Sequence, residues 1–186
     1  DAEMAEKAGL KSILIGKATQ NETQVQKLNV LNWDEIYEHL RARPVFIERK
    51  TKETLITGKL VLNGNGKSEV QTGLGFFDHM LEQLPSHSKI DLWLKTKGDL
   101  NVDEHHTIED TGLALGEAFL SALGNRKGLQ RYGFSLPMDE SRASCLFDLG
   151  GRAYLKWNVE FEREYIGDVP TEMIEHFFRS FAEASK

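Results

Sequence analysis

Residues 103–110 have the sequence DEHHTIED, and they open the longest helical pattern in the chain. Apolar residues follow at helical spacing, so the pattern predicts a helix from His105 to about Leu123. Within a helix, His105 lies four residues and His106 three residues from Glu109, so either imidazole can share a face with this carboxylate. The two rings diverge by about 100° around the helix axis. The pair therefore suits two metal ions, each sharing ligands with another part of the protein.

The alternative interpretation of this segment is a solvated helix start. Asp103 would then be the N-cap, and the neighbouring acids would be favoured by the helix dipole. Adjacent histidines in a segment with four acids are uncommon for that purpose alone, which favours the metal site.

Histidine usage elsewhere supports the same interpretation. The chain has six histidines, and five fall in three clusters: His79 with His87, the pair His105 and His106, and His176. Mn, Fe, Co and Zn accept imidazole together with carboxylate, whereas Ca and Mg prefer oxygen ligands. A single cysteine excludes a zinc site built on paired thiolates.

The composition is that of a globular protein and excludes several function classes. The chain has 186 residues, of which 40% are hydrophobic and 28% charged. A net charge of −6 argues against a nucleic-acid binder, and no apolar stretch approaches the roughly 20 residues that span a membrane. Cys145 lies in an apolar run and is expected in the core, and a lone cysteine fits a reducing compartment. Without an initiator Met or secretory signal at Asp1, we expect a soluble, cytoplasmic protein cut from something longer.

The first forty or so residues resemble the end of an α/β sheet. A helix closes near Gly9, residues 12–16 form a short apolar strand between glycines, and residues 19–26 form a polar loop. A short helix from Asn32 to about Leu40 is stopped by residues 41–44. This pattern predicts a boundary near Arg43.

From residue 45 onward the pattern predicts an α+β fold, with a sheet covered on one side by helices. The predicted strands are 45–51, 54–62, 68–72, 90–97, 144–149 and 154–161, and the predicted helices are 76–84, 105–123 and 171–186.

An internal sequence repeat suggests that this part of the chain is duplicated. Residues 77–81, FDHML, match residues 174–178, IEHFF, and residues 58–62 resemble residues 151–155. A second copy should carry its own HHxxE about 25 to 30 residues after His176. The chain ends ten residues after His176, so we expect the second half to be incomplete.

Seven motifs in order give a family resemblance. They are RKTKET at 49–54, TGLGFFDHML at 72–81, KGDL at 97–100, DEHHTIEDTG at 103–112, RYGF at 131–134, PMDE at 137–140 and TEMIEHFF at 171–178. On these motifs the sequence resembles the imidazoleglycerol-phosphate dehydratases of histidine biosynthesis. The resemblance implies duplicated half-domains of the ribosomal S5 domain 2-like type, each a mixed or antiparallel sheet covered by helices. Residues 44–186 would be such a domain, truncated at its C-terminus.

Residues 1–43 resemble the C-terminal end of a phosphatase of the haloacid-dehalogenase type. The resemblance rests on residues 1–9, DAEMAEKAG, and is short. A histidinol-phosphate phosphatase domain precedes the dehydratase in a bifunctional protein of this pathway, and the chain looks like a piece spanning that junction. The phosphatase nucleophile would lie upstream, so phosphatase activity is not expected.

The resemblance implies a hydro-lyase that converts imidazole glycerol phosphate to imidazole acetol phosphate, with two Mn²⁺ or similar ions per complete subunit. The metal ligands it implies are His79, His105, His106, Glu109 and His176. Catalytic roles fall on Glu53, His79, His106 and Glu109, and substrate contacts on Glu53, His87, Arg131 and Arg152. The two arginines are candidates for the phosphate. Asp78 and Glu175 precede ligand histidines and are candidates for orienting them.

Each candidate has a plainer alternative. Glu53 sits in a polar loop and could simply be solvated, Arg131 could pair with a surface acid, and His87 could cap a helix end. The implied partners are a small phosphate substrate and further copies of the chain, in a large oligomer built from trimers. With one HHxxE of two, the chain as given is expected to be inactive. A noncatalytic metal-binding or assembly module is the alternative function.

Overall fold

The computed structural model describes residues 4, 7–8, 13–15, 28–30, 32–41, 43–126 and 128–186. The chain forms two compact units, residues 1–43 and 44–186. The split falls where the sequence places the boundary. Whether the first unit derives from a phosphatase-type domain stays a prediction.

In the first unit, β1 (Ile13–Ile15) pairs in parallel with β2 (Leu28–Val30), and α1 spans Trp33–Arg41. Asn32 caps α1, because its side-chain oxygen accepts the backbone N–H of Glu35 at 3.0 Å. The predicted strand and second helix are confirmed, and the predicted loop at 19–26 lies outside the described residues.

The second unit begins with a four-stranded sheet. Its strands are β3 (Val45–Lys50), β4 (Leu55–Val61), β5 (Ser68–Gln71) and β6 (Asp91–Lys97). They lie in the order β3-β4-β6-β5, with β5 parallel to β6 and the other pairs antiparallel. Alternation explains the core: Leu92, Leu94 and Thr96 of β6 are buried, whereas Trp93 is half-buried and Lys95 and Lys97 are exposed. The four predicted strands in this region are confirmed.

Two helices pack against this sheet. They are α2 (Gly75–Ser88) and α3 (His105–Leu123), and their buried Leu81 and Ile108 join the core formed by the strands. The predicted helix at 76–84 runs one turn further, through Pro85, and ends at Lys89 in the left-handed conformation. Pro85 is buried, so its packing offsets the backbone hydrogen bond that a proline removes inside a helix.

The remainder of the second unit is less regular. It contains the hairpin of β7 (Tyr132–Met138) and β8 (Ser141–Phe147), the short pair β9 (Tyr165–Ile166) and β10 (Val169–Pro170), and α4 (Glu172–Ser185). β7 is a strand that the sequence did not predict, and it contains Pro137, a residue type that is uncommon inside strands. The predicted strand at 144–149 corresponds to β8, which begins earlier, at Ser141, and ends at Phe147.

Two sequence predictions in this region are wrong. Residues 154–161 form no strand, and Tyr154, Val159 and Phe161 are exposed. An alternating pattern needs a neighbouring strand to pair with, and the described residues offer none there. Cys145 is exposed rather than in the core, because it lies on a hairpin whose two faces are both open to solvent.

The α+β fold class is confirmed. The internal sequence repeat is confirmed at the two helices that carry its histidines. His79 and His176 are each the fifth residue of a 14-residue helix, α2 and α4. The predicted repeat of residues 58–62 at residues 151–155 is wrong, because residues 58–62 lie mostly in β4 whereas residues 151–155 lie outside any strand.

Close packing of α4 on α3 brings the two parts of the second unit together. A Cβ added at Gly112 would lie 2.8 Å from the carbonyl oxygen of Phe177, and one at Gly116 would lie 2.6 Å from that of Phe181. The helices can approach this closely only because both α3 residues lack a side chain. The approach places the first turns of α3 and α4 side by side.

Candidate metal centre

Three of the five predicted ligands meet where α3 and α4 begin. His105, Glu109 and His176 offer ligand atoms that all lie within 4.8 Å of one another. His105 Nε2 is 2.9 Å from Glu109 Oε2, and the rings of His105 and His176 lie 5.2 Å apart, edge to face. The predicted four-residue spacing of His105 and Glu109 accounts for the first contact, and the α3–α4 packing supplies the second histidine.

This cluster fits a divalent ion of the borderline class. Two imidazoles and one carboxylate are donors that Mn, Fe, Co and Zn accept together. Metal–ligand bonds of about 2.1 Å place neighbouring ligand atoms about 3–3.5 Å apart, so the His105–Glu109 pair has the spacing already. His176 is exposed, and a small rotation of its side chain would complete the set.

His106 faces a different partner. Its Nδ1 lies 3.1 Å from Asp99 Oδ2, and its ring centroid lies 6.0 Å from that of His105. An Nδ1–H donated to Asp99 leaves the Nε2 lone pair free for a metal, which is how carboxylates orient ligand histidines. The divergence of the two adjacent histidines is therefore as the sequence predicts. In the sequence Asp99 is one residue of the KGDL motif, and its contact with His106 is apparent only in the structure.

The charges around His106 favour its protonated form. The hydrogen bond to Asp99 raises the pKa of His106, and the negative charges of Asp99, Glu53 and Asp103 add to this against a smaller opposing effect of burial. A site that attracts a proton in this way attracts a divalent cation for the same electrostatic reason. Asp103 stabilises the start of α3, because its Oδ1 accepts the backbone N–H of His105 at 3.0 Å. The N-cap position is held by Glu104 rather than by Asp103.

Glu53 lies at the exposed tip of the β3–β4 turn. Its charge contributes to the raised pKa of His106, so the turn is close to the start of α3. The structure therefore places this candidate beside the predicted metal helix, although Glu53 is far from it in sequence.

His79 and His87 lie apart from the three-ligand cluster. His79 is exposed on α2, and its Nδ1 lies 3.4 Å from the side-chain nitrogen of Gln83. His87 is exposed in the last turn of the same helix. Within the described residues, neither belongs to a group of three or more metal-ligating side chains. Their predicted roles stay predictions.

The two candidate phosphate ligands lie in the less regular region. Arg131 Nε donates to Asp148 Oδ2 at 2.9 Å, and this hydrogen bond raises the pKa of the guanidinium. Arg152 is exposed between β8 and β9. Pairing with a surface acid was the plainer alternative for Arg131, and it is the contact the structure contains.

The proposed orienting roles of Asp78 and Glu175 find no support in their contacts. Asp78 Oδ1 accepts the backbone N–H and the hydroxyl of Thr72, at 2.7 and 2.6 Å. Glu175 forms an ion pair with Arg179 one turn further along α4. These carboxylates stabilise the starts of their helices.

An α+β fold in which two imidazoles and a carboxylate converge at the start of two packed helices defines a metal-binding class of protein. The family description imidazoleglycerol-phosphate dehydratase matches residues 72–186. The chain belongs to this family. The match includes the metal-ligand motifs at 103–112 and 171–178.

Relatives and solved structures agree with this assignment. The histidine biosynthesis bifunctional protein HisB of Spirosoma linguale is 52% identical over 180 residues, which is 96% of this chain and 47% of that protein. The protein of the same name from Bacteroides fragilis is 47% identical over 193 residues, covering all of this chain and 52% of that protein. The chain thus spans about half the length of the curated relatives it matches.

Crystal structures of the family share the fold. Imidazoleglycerol-phosphate dehydratase from Staphylococcus aureus superposes with a TM-score of 0.65 at 28% identity, covering 76% of this chain and 79% of that one. The Pyrococcus furiosus enzyme, in complex with (S)-C348, gives a TM-score of 0.60 at 25% identity, covering 75% and 74%. Separately, no helix among the described residues is long and apolar enough to cross a membrane.

Proposed function

We propose that this chain contributes to a metal-dependent hydro-lyase that converts imidazole glycerol phosphate to imidazole acetol phosphate in histidine biosynthesis. The observation that carries the proposal is the convergence of His105, Glu109 and His176 in a chain of this family. Two Mn²⁺ or similar ions per complete subunit are part of the proposal, as is a cytoplasmic location.

The residues divide into two groups of ligands. His105, Glu109 and His176 would hold one ion, and His79 and His106 would contribute to the second. A bound divalent ion would supply Lewis-acid stabilisation of the substrate imidazole. Asp99 would keep the His106 Nε2 free by accepting an N–H hydrogen bond from Nδ1 of the neutral ring.

Glu53 and the arginines would act on the rest of the substrate. Glu53 is exposed at the tip of its turn, so it could reach a bound substrate and transfer a proton near the substrate hydroxyl. Arg131 and Arg152 would bind the phosphate, with Arg131 exchanging Asp148 for the stronger bidentate contact with a phosphate.

The separation of His79 and His106 from the three-ligand cluster supports an assembly in which neighbouring copies share metals. We propose an oligomer built from trimers, in which metal binding and association are linked by mass action. Light scattering with and without a chelator tests this: the assembly should lose mass when metal is removed. A stable, active monomer would contradict it.

The activity test uses imidazole glycerol phosphate and excess Mn²⁺. We compare this chain with a polypeptide that continues past Lys186 through a second HHxxE, and we expect metal analysis after dialysis to give about two ions per longer subunit. His106→Ala should abolish dehydration while keeping the fold, and His39→Ala, which removes a histidine that is not a candidate ligand, is the control. A fully active metal-free protein would refute the proposal.

A metal-binding module without catalytic activity is the second candidate. It is favoured by the observation that only three of the five predicted ligands meet within the described residues. Metal binding by the longer polypeptide without any dehydration would select this alternative.

A further inference from the structure

The turn that carries Glu53 is held by an internal set of hydrogen bonds. The backbone N–H of Thr51 donates to the carbonyl oxygen of Thr54 at 2.9 Å. The Thr51 hydroxyl oxygen accepts the backbone N–H groups of Glu53 and Thr54, at 3.2 and 2.9 Å. These bonds fix the backbone of residues 51–54 and leave the Glu53 side chain exposed. The turn therefore has a fixed backbone and presents the Glu53 carboxylate to solvent.

A carboxylate on α3 attaches this turn to the metal helix. Asp110 Oδ2 accepts the hydroxyl of Thr54 at 2.6 Å and that of Thr51 at 3.2 Å. Its Oδ1 accepts Arg49 Nε at 3.0 Å. Thr54 is buried, and the Asp110 side chain is only 14% exposed, so these charge-assisted bonds act where water competes little.

The position of Asp110 in the sequence makes this attachment relevant to the metal centre. It follows Glu109 directly on α3, and His105 and His106 lie on the preceding turn. One helix thus fixes both the metal ligands and the turn that carries Glu53.

We propose that Asp110 is a positioning residue, which holds the turn of residues 51–54 on α3 so that Glu53 is kept in register with the metal ligands. The catalytic part of this inference rests on the proposed function, whereas the positioning part concerns the folded chain alone. A purely stabilising role is the competing explanation, because any buried network of this kind also stabilises the fold.

The first experiment measures amide hydrogen exchange in the metal-free chain and needs neither metal nor substrate. In Asp110→Asn, the peptide that contains residues 51–54 should exchange about tenfold faster or more, because a charge-assisted anchor is lost. Peptides from α3 should keep their protection. Glu117→Gln is the matched control, since Glu117 also contacts Arg49 at 3.3 Å but does not touch the turn.

Two variants of Thr54 sharpen this test. Thr54→Ser keeps the hydroxyl that donates to Asp110 and should retain slow exchange at the turn, whereas Thr54→Val should resemble Asp110→Asn. Unchanged exchange at residues 51–54 in both Asp110→Asn and Thr54→Val would overturn the proposal. Faster exchange throughout the second unit would also overturn it, because it would indicate a general loss of stability.

The second experiment is a double-mutant cycle on dehydration in the longer polypeptide with Mn²⁺. Asp110→Asn should lower kcat at least about tenfold with little change in KM. In a Glu53→Gln background it should have almost no further effect, because a residue acting through Glu53 has nothing left to position. An equal loss in both backgrounds would overturn the proposal. If Glu53→Gln were fully active, the assigned role of Glu53 would fail, and the exchange result would still decide the positioning.

Discussion

The two halves of the second unit differ in how their apolar residues are used. In residues 44–126, the N-terminal half, four strands and two helices bury a shared core. In residues 128–186, the C-terminal half, both strands of the β7–β8 hairpin are exposed along their whole length. Its buried apolar residues among those described are Val169, Pro170 and Met173, next to and within α4.

This difference shows which part of the site each half supplies. The N-terminal half builds a layered scaffold and fixes His105 and Glu109 on a helix that is buried along one face. The C-terminal half contributes His176 through a single helix packed on that scaffold. The metal cluster therefore depends on the α3–α4 contact more than on any feature of the hairpin.

Truncating one leucine in each half should give the largest difference in the free energy of unfolding. Leu92 is 1% exposed and Leu146 is 86% exposed. Leu92→Ala should lower the free energy of unfolding by about 2–5 kcal/mol, because it leaves a cavity in the core. Leu146→Ala should change it by less than about 0.5 kcal/mol. Urea titrations of both variants measure the difference, and a comparable cost at Leu146 would show that the hairpin is covered in solution.

A substitution at the α3–α4 contact tests the link between the halves. A Cβ at Gly116 would lie 2.6 Å from the Phe181 carbonyl oxygen, so Gly116→Ala should cost about 1–3 kcal/mol of stability. It should also weaken Mn²⁺ binding, because the shift of α4 displaces His176. Calorimetric titration with Mn²⁺ measures this.

Gly75→Ala is the matched control for that prediction. Its added Cβ would make an ordinary 3.6 Å contact with Asp168, so stability should be unchanged or slightly higher. Equal Mn²⁺ affinities in the two variants would mean that the α3–α4 distance does not control the cluster.

The sequence predicted the N-terminal half well because local pattern and final packing agree there. Most of β3 and β6 alternates between more buried and more exposed residues, and α3 begins within the DEHHTIED segment. The spacing of the apolar residues was therefore sufficient to predict these elements. The His105–Glu109 contact also followed from spacing alone.

Side-chain contacts between a loop and a helix could not be predicted in this way. Neither the Asp99–His106 bond nor the attachment of residues 51–54 to Asp110 has a local signature, since each joins a loop to a helix. In the C-terminal half, the alternation at 154–161 suggested a strand, but pairing decides whether such a segment becomes one. The family resemblance supplied the ligand set, and only the fold shows which of those ligands meet.

A smaller effect is expected where the C-terminal half caps a helix of the N-terminal half. The Asp168 carboxylate accepts the backbone N–H groups of Gly75 and Phe76, at 2.5 and 3.0 Å, at the start of α2. Asp168→Ala should cost about 1 kcal/mol, as the loss of a helix cap does. Asp168→Asn keeps an accepting oxygen and should cost less. Thermal unfolding of the two variants gives the comparison, and equal costs would show that the cap contributes through its charge alone.

The smallest effect concerns the acid that orients His106. Because the bond to Asp99 raises the pKa of His106, its stabilising contribution in the metal-free chain is fully present below the unfolded pKa of about 6.5 and is lost as pH rises through the folded pKa. Asp99→Asn should therefore lower the His106 pKa in an NMR titration. It should destabilise the metal-free chain more at pH 6 than at pH 8, by a few tenths of a kcal/mol at this exposed site.

Asp148→Asn, which removes an acid from the Arg131 pair in the C-terminal half, should leave the His106 titration unchanged. If both variants shifted it equally, the effect would come from net charge rather than from the Asp99 contact. A shift confined to Asp99→Asn would instead show that the proton on Nδ1 is held locally by the N-terminal half. His106 Nε2 would then be presented to a metal by that half alone, whereas His176 reaches the other ligands only through the packing of α4.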